Sequence, residues 1–140
     1  MHGLINKAIE AFVNDTYGFE AWRAIAKAAE LEEPSFEAMM VYDAAITPQV
    51  IACATQTLNV ERDEFLQNLG TYLVSQPSQQ SVRRLLRFGG VDFVDFLYSL
   101  DDLQDRARLA VADLSLPQLE LREHTVNQFS LTVRSNIAGF

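Results

Sequence analysis

The side chains best able to do chemistry in this sequence are few and widely separated. Two histidines, His2 and His124, and one cysteine, Cys53, are the imidazole and thiol donors of the 140 residues. A structural zinc site needs three or four such ligands brought together, so none is expected. His2 stands near the terminus and His124 in an expected loop, which suits surface residues better than ligands. Cys53 falls toward the apolar side of its helix as a small buried hydrophobe, with nothing nearby to activate its thiol. Asp92, Asp95, Asp101, Asp102 and Asp105 recur on one expected helix. They could bind a cation or a partner, but the wet face of an amphipathic helix, with Arg106 and Arg108 close enough to pair, accounts for them better. Trp22 and the phenylalanines could line a ligand pocket, although their spacing suits an ordinary core. There is no glycine-rich phosphate loop, no G-x-S-x-G, no H-E-x-x-H and no calcium-binding loop. Without a nucleophile–base pair or a metal cluster, an enzyme is not expected. The anomaly is Gln104. It lies four residues after Leu100 and three before Ala107, inside a stripe that also holds Phe93, Phe96, Leu97, Val111 and Leu114. A buried amide there costs about 1–3 kcal/mol if it finds no partner.

The elements that must position these groups follow from apolar period. Ile5, Ala8, Ile9, Phe12 and Val13 repeat at helical spacing until Asn14-Asp15 and Tyr17-Gly18 break the run. A second helix is predicted over residues 19–30, with Trp22, Ile25, Ala26 and Ala29 inward. The acidic stretch before Pro34 reads as a solvated turn, and Ser35 as the cap of a short helix through Met40. Thr47-Pro48 reads as a start signal, a capping hydroxyl followed by proline at the first helical position, for a helix burying Val50, Ile51, Ala54 and Leu58. Asn59 ends it or caps the next, in which Phe65, Leu66, Leu69, Tyr72 and Leu73 recur. Residues 75–81 read as a loop passing into a helix with Val82, Leu85 and Leu86 inward, closed by Gly89-Gly90. The longest periodic segment, residues 91–114, reads as one helix. After Pro117 the period drops to two: Leu119 and Leu121, then Phe129, Leu131 and Val133, predict a β-hairpin with residues 124–128 between the strands. The expected class is α+β, a helical N-terminal part followed by helices and a small antiparallel sheet.

Bulk composition sets the context. The length suits one domain over residues 1–140, and 49% hydrophobic with 21% charged residues is an ordinary globular balance. Nineteen acidic against 11 basic side chains give a formal charge of -8, which repels nucleic acid and anionic membranes and leaves a basic partner protein open. A single cysteine fits a reducing compartment. No signal-peptide pattern and no apolar run of spanning length is present, so a cytoplasmic protein is expected.

A resemblance sharpens this reading. The opening Met1-His2-Gly3-Leu4-Ile5-Asn6-Lys7-Ala8-Ile9-Glu10 is similar to the start of the haem–nitric oxide/oxygen-binding (H-NOX) domain, the gas sensor of soluble guanylate cyclase and of bacterial signalling proteins. The likeness continues through Tyr17-Gly18, Trp22, Tyr42-Asp43, residues 52–58 and Leu69-Gly70. It is strongest over Phe96-Leu97-Tyr98-Ser99-Leu100-Asp101-Asp102-Leu103-Gln104-Asp105, and includes Pro117 with its following strand. In that family the run leucine–aspartate–x–leucine–histidine ends in the proximal iron ligand, and here the match falls on Gln104. The haem-pocket positions implied by the resemblance are Gln104, Leu100, Pro117 and Ile5. A neutral carboxamide is a far weaker iron donor than imidazole.

The family's tyrosine–x–serine–x–arginine motif, which holds the haem propionates, would fall near Ser135, Ile137 and Gly139, and those residues do not supply it; Arg134 lies close by. The family's tyrosine-bearing stretch after Gly70 is replaced by Ser75-Gln76-Pro77-Ser78-Gln79-Gln80. The family domain continues with a further helix and strands, so a C-terminally shortened version is expected. The resemblance thus implies a divergent, non-enzymatic sensor or regulatory domain without ordinary haem binding. It would signal to a protein partner such as a nucleotide cyclase, a diguanylate cyclase or a histidine kinase, with homodimerisation open. The alternatives are haem held through His2 or His124, a pocket for another apolar ligand such as a lipid or pigment, or a structural interaction module.

Overall fold

The computed structural model describes residues 3–77, 84, 87, 90–110, 114 and 116–135. Several expectations lie outside these residues: His2, the helix carrying Val82, Leu85 and Leu86, Gly89, Val111, and Ile137 and Gly139 of the chain end. The described elements are α1 (Gly3–Tyr17), α2 (Phe19–Ala28), α3 (Ile46–Leu58), α4 (Arg62–Ser75), α5 (Phe93–Ser99), α6 (Leu103–Ala110), β1 (Gln118–Thr125) and β2 (Gln128–Arg134). The fold is α+β, as expected. Two compact units divide it, Met1–Gln76 and Pro77–Phe140. Among the described residues no helix is long and apolar enough to cross a membrane.

The first unit is four helices around an aromatic centre. Phe12 on α1 stacks edge-on with Tyr17 and with Phe65 of α4, and tilts against Tyr72, with ring centroids 5.4–5.9 Å apart. Ile9, Val13, Trp22, Ile25, Val50, Ile51 and Ala54 complete the buried core. Of the stripe expected on α1, Ile9, Phe12 and Val13 are buried while Ile5 and Ala8 are half-buried. Gly18 ends α1 with φ 94, a left-handed conformation that costs glycine little, and Phe19 starts α2 immediately after it. Asn59 ends α3 in the left-handed region with φ 54, and Val60 N–H returns to the Thr55 carbonyl at 3.1 Å.

The segment between α2 and α3 differs from expectation. Residues 35–40 form turns and no helix. Their amides are held from outside instead: Glu10 Oε2 accepts from Phe36 N–H at 2.8 Å, and Tyr42 Oη from Glu37 N–H at 2.8 Å. The buried Glu10 carboxylate also accepts from the Ser35 hydroxyl at 3.0 Å and pairs with Lys7 at 2.9 Å. Gly3 N–H donates to the Met40 carbonyl at 2.7 Å, and a β-carbon at Gly3 would stand 2.1 Å from the Glu37 carbonyl oxygen. Glycine is therefore the residue that lets α1 start against this loop.

Thr47 does not cap α3. The turn into the helix is closed by Asp43, whose Oδ1 accepts from Ala45 N–H at 2.7 Å, and Pro48 sits in the first turn, where its missing N–H is harmless. The Thr47 hydroxyl points inward and donates to Asn6 Oδ1 at 2.6 Å, with both residues fully buried.

Of the described residues of the second unit, few are buried. Leu100, Ala107 and Leu114 are buried, and α5 contributes no fully buried residue. The expected single helix over 91–114 is broken: α5 ends at Ser99 and α6 begins at Leu103. The hairpin is present, with Leu119 opposite Val133, Leu121 opposite Leu131 and Glu123 opposite Phe129. Its turn is shorter than expected, because His124 and Thr125 belong to β1.

Thr47→Val keeps the shape of the side chain but removes its hydroxyl, leaving Asn6 Oδ1 without its donor beside an Nδ2 that already has no partner. Urea unfolding of this variant should show a loss of about 1–3 kcal/mol, the usual cost of a stranded buried polar group.

Candidate functional site

The break between α5 and α6 sets the geometry around Gln104. In a continuous helix the Ser99 carbonyl would accept from the Leu103 amide. Here Leu103 N–H reaches the Leu100 carbonyl at 3.1 Å, and Leu100 N–H the Leu97 carbonyl at 3.1 Å, so the backbone tightens at two steps in succession. The Ser99 carbonyl is taken instead by Arg106 Nη2 at 2.7 Å, while Arg106 Nη1 donates to the Arg87 carbonyl at 2.6 Å. A guanidinium thus substitutes for the missing helical donor. This departs from the expected pairing of Arg106 with the helix aspartates.

Those aspartates have separate tasks. Asp92 caps α5 by accepting from Asp95 N–H at 2.9 Å, and Asp95 accepts from Val91 N–H at 2.9 Å. Asp101, set free by the break, accepts from Leu121 N–H at 3.0 Å and so ties the α5–α6 junction to the outer edge of β1. A second tie runs from α5: Tyr98 packs edge-on against Phe129 at 6.1 Å, and its hydroxyl donates to Glu123.

Gln104, the second residue of α6, is half-buried and faces a cleft of about 240 Å³. Asp101, Pro117, Gln118, Leu119, Glu120 and Arg134 form the rest of its lining. Two of the four positions singled out from the sequence, Gln104 and Pro117, therefore meet at one cleft. Leu100 lies on the same junction but is buried beneath it, and Ile5 is half-buried on α1 in the first unit. Gln118 and Glu120 carried no sequence signal for this site, and Arg134 only its nearness to the propionate motif; the hairpin register places them, with Gln118 paired to Arg134 across the strands. Arg134 Nη2 lies 3.4 Å from Glu120 Oε2, and Arg122 Nη2 lies 3.0 Å from Glu120 Oε1.

The cleft in front of Gln104 is polar: Gln104 offers a neutral amide, and five of the seven lining residues are polar or charged. The guanidinium of Arg134, the candidate partner for a propionate, is drawn to Glu120. His124 sits on an exposed strand with Nε2 2.6 Å from Ser130 Oγ. Cys53 is half-buried on α3, and among the described residues no three His, Cys, Asp or Glu gather to hold a metal ion.

The Glu123 carboxylate that takes its proton in a hydrogen bond raises the pKa of Tyr98 above 10.0, with burial and charge repulsion adding to the effect. A group whose folded pKa is raised contributes its contact fully below the unfolded value and loses it as pH climbs through the tyrosine range. Phenolate absorbance, taken as the difference between wild type and Tyr98→Phe, should show Tyr98 ionising above an ordinary tyrosine. Glu123→Gln should bring that midpoint down; an unchanged midpoint would deny the pair any influence.

A family model described as Haem-NO-binding matches residues 2–140. Among curated proteins the chain is similar to soluble guanylate cyclase 89Db of Drosophila melanogaster, 22% identical over 139 residues, covering 99% of this chain and 21% of that protein. It is also similar to soluble guanylate cyclase gcy-31 of Caenorhabditis elegans, 23% identical over 140 residues, covering 100% of this chain and 20% of that one. The chain thus spans about a fifth of the length of the curated relatives it matches. Among solved structures, the Fe(II) unliganded H-NOX protein from K. algicida superposes with a TM-score of 0.80 at 22% identity, over 97% of this chain and 74% of that one. An H-NOX protein from S. oneidensis in the Fe(II)NO state gives 0.78 at 18% identity, over 97% and 75%. The two structures share its fold, and the family match over nearly every residue makes this chain a member of the haem–nitric oxide-binding (H-NOX) family.

Proposed function

We propose that residues 1–140 act as one H-NOX-like sensor or regulatory domain, without catalytic activity of its own, that signals to a protein partner and binds no histidine-ligated haem. The observation that carries this reading is Gln104: where the resemblance aligns the family's proximal ligand the chain has a carboxamide, on a short helix, facing a polar cleft. A weak neutral donor gives iron no strong axial bond. In the H-NOX family that bond is also the trigger, because nitric oxide strains or breaks it and the helix that carries it moves. Without it, nitric oxide has no differential grip on two conformations and cannot shift their balance. Control then falls to contacts made by the protein surface itself.

The relatives named above are soluble guanylate cyclases, which favours a nucleotide cyclase as the partner over a diguanylate cyclase or a histidine kinase. The net charge of -8 suits a partner with a basic face and argues against nucleic acid or an anionic membrane. A cytoplasmic setting follows from the same partner class. A lipid or pigment site gains no support from the polar walls of the Gln104 cleft.

The test is nucleotide cyclisation by a soluble guanylate cyclase catalytic partner, measured with and without this chain and with and without a nitric oxide donor. The chain should change the rate, and nitric oxide should leave that change within about twofold, since a ligand without differential affinity shifts nothing. A response of tenfold or more to nitric oxide, at about 1.4 kcal/mol per decade, would overturn the reading.

A further inference from the structure

We propose that the α5–α6 junction is a two-state hinge. Residues 93–110 pass between the broken form described above, latched by Arg106, and one continuous helix in which Arg106 and Asp101 release their partners together. That equilibrium is a property of the helix pair and does not depend on the signalling role above.

The sequence across the break contains no residue that breaks a helix. From Val91 to Leu116 there is neither glycine nor proline, and Leu100, Gln104 and Ala107 keep helical spacing through residues 100–102. Local residues therefore do not hold α5 and α6 apart. Side chains tie them open instead: Arg106 donates to the Ser99 carbonyl at 2.7 Å and to the Arg87 carbonyl at 2.6 Å, and Asp101 accepts from the Leu121 amide at 3.0 Å.

The broken form is not fully satisfied. Arg106 Nε is buried without a hydrogen-bond partner, so the latch strands one donor of the guanidinium that makes it. The two tightened steps, Leu100 N–H to Leu97 and Leu103 N–H to Leu100, have the poorer geometry of a 3₁₀ turn, which inside a helix often marks a hinge. The continuous form removes both faults. The Ser99 carbonyl takes the Leu103 N–H, and Arg106 is freed to pair with the exposed Asp102, four residues before it on the same helix face. What the continuous form gives up is the Asp101 tie to β1 and the Arg106 hold on Arg87. Each form satisfies groups that the other leaves unmet, which is what lets one segment hold two packings. Asp101 and Gln104 both line the cleft beside Pro117. Passing between the forms re-aims both side chains at once, so the hinge sets what that cleft presents.

Backbone amide NMR on the full chain tests this. Wild type should show millisecond exchange at residues 99–104 and at Leu121 with one common rate, the minor form carrying helical carbon shifts at Leu100, Asp101 and Asp102. Arg106→Gln loses the fork that spans two carbonyls and should move the balance at least about tenfold toward that form. Hydrogen exchange at Leu121 should quicken with it as Asp101 leaves. Asp101→Ala cuts the other tie, keeps Arg106, and should move the balance in the same direction. Should Arg106→Gln unfold the second unit, Asp101→Ala and the wild-type exchange decide. A wild type without the shared minor form, folded variants that keep the turn shifts at residues 100–102, or a Leu121 amide that exchanges independently of the hinge would each overturn the proposal.

Discussion

Arg106 holds the Ser99 carbonyl that an uninterrupted helix would have given to Leu103, and much of the second unit depends on that substitution. A carbonyl left without a donor in this half-buried place would cost about as much as a lost hydrogen bond. With the guanidinium filling the gap, the chain can turn between α5 and α6. Asp101 is then released to reach the edge of β1, and Gln104 begins a new helix. One side chain therefore links the helix break, the closed strand edge and the cleft in front of the carboxamide. Leu100 and Ala107 keep their buried places on either side of the break.

The first unit is organised by a different constraint. A buried carboxylate, Glu10, and a glycine, Gly3, fix the segment between α2 and α3 against α1. The segment keeps its backbone amides satisfied without becoming a helix, and it leaves Met39, Met40 and Val41 exposed. The aromatic centre around Phe12 and Phe65 supplies the burial that a unit of this size needs. Among its described residues the second unit buries Leu100, Ala107 and Leu114, and polar ties join its helices to the hairpin.

How much of this could be read from the sequence follows from where each interaction closes. The helices of the first unit obey apolar period, and the hairpin shows itself by the change from spacing three and four to spacing two. Local residues decide such patterns. The break at residues 100–102 stays hidden because the spacing of Leu100, Gln104 and Ala107 is helical throughout; what breaks it comes from Arg106, Arg87 and Leu121. Thr47 reads as a cap by every local rule, yet its hydroxyl serves Asn6, forty-one positions away. Residues 35–40 read as a helix until Glu10 and Tyr42 claim their amides. For the site, Gln104 and Pro117 were legible through the family pattern and Arg134 as a neighbour of the propionate motif, whereas Gln118 and Glu120 join it only through strand register. The identity of Gln104 was visible from the start, and the polarity of its surroundings was not.

A carboxamide among carboxylates, amides and a paired guanidinium is the centre of the functional account, so the decisive measurement is a hemin titration followed by absorbance. It should be run on wild type and on Gln104→His side by side. The account predicts no Soret shift for wild type at stoichiometric hemin, whatever the histidine variant gains. Stoichiometric binding by wild type, with a spectral change on adding nitric oxide, would contradict it and would require another side chain to ligate the iron.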